Sequence, residues 1–118
     1  MAKKKIKKTM PVMIKGVRYT VKVFEKVAYL KLLKDSLAHV DTEALEIIFR
    51  EDHIKKNIIV HEVTHAFINS LGLGSCNDLS LEDFEEIICE MMEHHLMDIN
   101  KLSNSILSFL KEAVKERT

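Results

Sequence analysis

From Ile54 to Leu71 the apolar residues recur at helical spacing, and Gly72 and Gly74 end the run. Ile54, Ile58, His61, His65 and Ile68 form one stripe, while Ile59, Val63, Phe67 and Leu71 form an adjacent apolar face that predicts packing against a sheet. Gly72 suits the position just past the helix end. Inside this helix stands His61-Glu62-Val63-Thr64-His65. Residues four apart share a helix face, so two imidazoles are presented to one point, along an inner edge rather than the solvent side. Glu62 lies beside them. Two neutral nitrogen ligands, an open coordination position and a nearby general base are what hydrolysis at a zinc ion requires. At this composition the pentapeptide arises by chance in roughly 3% of chains of this length, so its surroundings have to carry the reading.

Those surroundings predict a single α+β domain. Residues Val12 to Phe24 alternate apolar and polar in two short runs around Lys15-Gly16, with Val17, Tyr19, Val21 and Val23 on one face; this predicts a hairpin. Val27 to Leu37 changes to helical spacing, with Ala28, Leu32 and Leu33 inward. Asp41-Thr42-Glu43 has turn chemistry, and Ala44 to Arg50 predicts a third strand. Leu73 to Leu79 is a loop, and Ser80 with Asp83 approximates a capping box. From Leu81 the pattern stays helical almost to the end. Phe84, Ile87, Ile88, Met91 and Met92 mark its expected buried face, and Leu102, Ile106, Phe109 and Leu110 continue it after a break near Ser103-Asn104-Ser105. The expected fold is a small core in which a short antiparallel sheet packs on the histidine-bearing helix, closed by a long C-terminal helix.

A zinc site needs a third protein ligand. A third histidine six residues after the second is absent, since that position is Leu71, so the acidic helix that follows is the source. Glu86 and Glu90 lie one turn apart, flanked by Ile87 and Met91. Glu86 as ligand with Glu90 accepting a histidine N–H is one assignment; Glu90 as ligand is its competitor. His94 and His95 are candidates for stabilising an oxyanion, set against ordinary half-exposed helix residues. Tyr19 and Tyr29 are weaker candidates and fit packing better. His39 and His53 have no partner at ligand spacing and fit surface or strand-edge positions. Met91, Met92 and Met97 fit core filling.

Composition narrows the function classes. The 118 residues carry equal numbers of basic and acidic side chains, for a formal net charge of zero. That removes any charge-based case for nucleic acid. The lysines cluster at 3–5, 7 and 8, so residues 1–10 read as a disordered basic N-terminus and 11–118 as one domain. Pro11, Lys15 and Arg18 interrupt the next stretch, which excludes a signal peptide, and no run of apolar residues is long enough to span a bilayer. Cys76 fits a loop thiol and Cys89 a small core residue, without zinc-ligand spacing. The expected setting is cytoplasmic.

A hairpin and strand, a helix bearing I-x-x-H-E-x-x-H-A, a glycine turn and a helix opening with Glu-Glu-Ile-Ile-Cys-Glu together resemble the minimal gluzincin-type zinc metallopeptidases of phages and prophages, akin to the ImmA/IrrE type. The similarity spans about residues 12 to 100 and is specific only from Ile58 to Glu90. It implies His61, His65 and Glu86 as ligands of Zn2+, Glu62 as general base, Glu90 as the acidic residue behind a ligand, and a peptide or protein as substrate. The chain has no room for the DNA-binding domain that often accompanies the ImmA/IrrE type, which separates it from repressor cleavage. The rival expectation is a non-catalytic zincin-like binding protein, for example an inhibitor of a host enzyme or defence complex. Its structural zinc would be closed by a fourth ligand such as His94 or His95. A helical interaction module without metal is the third.

Overall fold

The computed structural model describes residues 6–33, 36–70 and 80–115. Strands β1 (Ile6–Ile14) and β2 (Val17–Phe24) form an antiparallel hairpin. Its two-residue turn holds Lys15 at φ 53° and Gly16 at φ 82°. Positive φ at both central residues is the turn whose twist matches the flanking strands. Residues 6–10, expected to be disordered, belong to β1: Ile6 pairs with Phe24 and Thr9 with Lys22. Sheet pairing therefore reaches into the basic segment.

Helix α1 (Lys26–Leu33) is shorter than its expected span. Strand β3 (Ala38–Asp41) comes next, then β4 (Glu46–Arg50). The turn between them is set by Asp41, whose Oδ1 accepts the N–H groups of Glu43 and Ala44 at 3.0 Å each. Leu45 takes φ 58° there, so the third expected strand starts at Glu46 instead of Ala44. The sheet order is β1-β2-β4-β3. The sheet is mixed rather than wholly antiparallel, because β4 pairs with β2 in parallel after the α1 crossover.

Helix α2 (Lys56–Ser70) carries the histidine motif. Helix α3 (Leu81–Glu90) runs through a π turn (Met91–His95) into α4 (Leu96–Lys115). The expected break at 103–105 does not occur, and the irregularity is this π turn. Ser103 is fully buried inside α4. The capping box at Ser80 and Asp83 forms in both directions. Leu71, Gly72, Gly74 and Cys76 lie outside the described residues.

The core lies on one sheet face. Val12, Ile14, Tyr19, Val21, Val23, Ile47 and Phe49 point there by strand alternation. They meet Ile59, Val63, Ala66 and Phe67 of α2 and a stripe of α4 at Ile99, Ile106, Leu110 and Ala113. On the opposite face Tyr29 of α1 covers Phe24 and Ile48. Phe49 is fully buried at the centre of the main cluster. Phe49→Ala is expected to destabilise the domain by about 3–5 kcal/mol, read from the midpoint of urea unfolding. Among the described residues, no helix is long and apolar enough to cross a membrane.

Candidate metal and catalytic centre

The α2 helix separates its three motif residues by depth. Ile59, Val63, Ala66 and Phe67 turn into the core, and Glu62 shares that side closely enough to be only 8% exposed. His61 and His65 are exposed rather than set along an inner edge as the sequence predicts, and Glu62 is the buried member of the three. The sheet and α4 pack on the apolar face of α2 and β3 borders Glu62, while the histidine edge is left uncovered.

The imidazoles converge: Nε2 of His65 lies 3.1 Å from Nε2 of His61, with the rings edge-on at 82° and centroids 4.7 Å apart. Two unprotonated nitrogens that close repel unless a proton or a cation lies between them. Two ligand nitrogens on one tetrahedral zinc ion would be about 3.3 Å apart, from metal–nitrogen distances of about 2.0–2.1 Å. The spacing of the two nitrogens is close to that of two ligands on one metal ion.

Glu62 lines two adjoining grooves between α2 and the outer edge of β3. One is bounded by Ala38, Val40, Thr42, His65, Ile68 and Asn69, with His39 at its wall. The other is bounded by Leu37, Ala38, Asn57, Ile58 and His61. The carboxylate sits where the two meet, opposite Ala38. Its charge also reaches the Tyr29 phenol. Burial pushes that phenol above its ordinary pKa, the Ser36 hydroxyl at 2.9 Å pulls it down, Glu62 pushes it up again and Arg50 opposes. Tyr29 is fully buried and Tyr19 nearly so, with Asn69 Nδ2 donating to the Tyr19 hydroxyl at 3.3 Å; both pack.

Glu86 and Glu90, the expected third ligand and its competitor, are not gathered with the pair. Glu86 and Glu90 are exposed on α3, which buries none of its residues and has the π turn as its main neighbour. Among the described residues, no group of three or more His, Cys, Asp or Glu side chains is arranged to hold a metal ion. His61 and His65 are in contact, and neither Glu86 nor Glu90 is gathered with them. His94 is exposed and meets Glu93 at 3.3 Å, while His95 is 5% exposed beside the Phe67 ring, so neither is an ordinary half-exposed residue joined to the pair. Cys89, expected in the core, is an exposed thiol, and Met97 is 75% exposed. His53 lies near Asp52, at 3.8 Å.

Strand β3 is the element that sequence reasoning missed, and with it one wall of the site. Ala-His-Val-Asp is too short for alternation to register, and only pairing with β4 makes it a strand. Comparison with family models, with curated proteins and with solved structures returned no match.

Proposed function

We propose that this chain is a zinc-dependent peptide hydrolase working at the groove between α2 and β3. The observation that carries the reading is the 3.1 Å approach of the His61 and His65 Nε2 atoms at the rim of a groove that holds the buried Glu62. His61 and His65 would hold the metal, with Glu86 as the third donor and Glu90 its competitor. Because α3 stands apart, metal binding has to draw one of these carboxylates to the pair. When bound, zinc supplies Lewis-acid polarisation of a carbonyl and acidifies water toward neutrality.

The remaining work belongs to the chain. Glu62 accepts a proton from the attacking water and delivers it to the leaving amine. Its burial beside the sheet limits the orientations of the carboxylate, which is what a positioned base needs. The outer edge of β3, which pairs with β4 alone among the described residues, offers backbone donors and acceptors to an extended peptide lying over Glu62. Ala38 opposite Glu62 leaves room for a main chain to pass. A peptide substrate and a cytoplasmic setting complete the reading.

A mixture of unstructured peptides incubated with zinc-loaded protein should yield defined cleavage products, identified by mass spectrometry. A chelator that strips zinc should stop the reaction and added zinc restore it. Cleavage that persists in a zinc-free preparation would contradict the proposal.

A further inference from the structure

Among the described residues, helix α3 is formed but gives the core only the partly buried Ile87. Ten residues make a marginal helix on their own, and this one is held by the Ser80–Asp83 capping box and by continuity through the π turn into α4. Ile87 and Met91 mark the side nearest the domain, where Met91 is buried and Ile87 partly so. A second, larger apolar stripe faces solvent. Leu81 is 75% exposed, Phe84 50%, Ile88 60%, Met92 59% and Leu96 47%. Their spacing of three and four residues makes one continuous seam. Monomeric proteins seldom leave such a seam open except where something docks.

The charge around the seam selects the occupant. At about 100° per residue, Glu85 and Glu93 border the exposed stripe, and no lysine or arginine occurs from Leu81 to Asn100. A second copy of α3 would bring an equal set of carboxylates alongside and repel. An anionic membrane surface would repel it too, since interfacial helices present lysine and arginine on the polar face. A helix with an apolar stripe and basic flanks satisfies both features at once. We infer that the Leu81–Leu96 seam is a docking surface for a basic amphipathic helix of a partner protein. Methionine at the seam lets it accommodate differently shaped apolar anchors. At about 100° per residue, Glu86 and Glu90 fall on the far side of the helix from Phe84 and Ile88. Docking and metal binding therefore use separate surfaces.

The probe is a dye-labelled synthetic helix of leucine and lysine about five turns long, titrated with the full-length chain and read by fluorescence anisotropy. Saturable one-to-one binding that weakens with salt is expected. Phe84→Asp and Ile88→Asp should each weaken it at least about tenfold, as should scrambling the peptide so that its charge stays and its apolar face is lost. Glu85→Lys with Glu93→Lys should weaken it most at low salt. These positions are solvent-exposed, so circular dichroism should stay that of wild type; Met92→Asp, outside α3, gives an independent reading of the seam. Equal binding of the scrambled peptide, or unchanged affinity in the aspartate variants, would overturn the inference. So would sedimentation of the wild type as a dimer that Phe84→Asp dissociates, since a second copy would then be the occupant.

Discussion

Glu62→Gln is expected to lower zinc-dependent peptide hydrolysis by about 10²–10⁴-fold, the usual contribution of a positioned general base. The substitution keeps the shape of the side chain and removes only its ability to take a proton. Zinc content, measured by elemental analysis, should match wild type, because Glu62 is not among the proposed donors. Thermal stability should change little in either direction: Glu62 is 8% exposed but opens onto two grooves, so an amide there keeps access to solvent. Retained activity in the variant would remove Glu62 from the mechanism even if the metal remained.

The second large effect is on metal affinity. His61→Ala and His65→Ala each break the 3.1 Å nitrogen pair. Each should weaken zinc binding by more than about 100-fold, beyond what loss of an outer partner produces. Glu86→Ala and Glu90→Ala separate the two assignments of the third donor. The ligand variant should fall with the histidines, and the other should lose about 10–100-fold, the range for a residue that orients a ligand. Competition with a chromophoric chelator reads all four. Because both histidines are exposed, these variants should fold as the wild type does in the absence of metal. Loss of affinity would then report the site and not the scaffold.

Much of the scaffold was legible because its signals are local. The Lys15-Gly16 turn, the Ser80–Asp83 capping box and the long periodic run of α2 each depend on residues within a few positions of one another. The features that escaped depend on distant partners. The four residues of β3 become a strand through β4, and the parallel β2–β4 pairing turns an expected antiparallel sheet into a mixed one. Residues 6–8 look like a basic tail in sequence, yet they continue β1 across a register shift between Ile6 and Thr9, and Ile6 pairs with Phe24.

The pairing of the candidate site's histidines was legible in the sequence and the depth of its residues was not. Helical spacing brings His61 and His65 together, and the structure has them converging. Spacing does not say which flank of α2 a later helix will cover. With the sheet and α4 on the apolar face and β3 beside Glu62, the glutamate rather than the histidines is the buried member. The same limit applies to α3. Periodicity marks Phe84, Ile88 and Met92 as an apolar face but cannot tell a face buried in the core from one presented to solvent. Glu86 and Glu90 stand out by spacing along the chain, and the distance from α3 to the pair is a tertiary property.

Zinc stoichiometry tests the metal centre most directly. Purified full-length chain should be saturated with zinc, freed of excess by gel filtration and analysed for metal, beside the variant carrying both His61→Ala and His65→Ala. One zinc per chain in the wild type and almost none in the double variant is the expected result. Wild-type protein that retains no stoichiometric zinc, or a double variant that retains as much, would contradict a metal centre at His61 and His65.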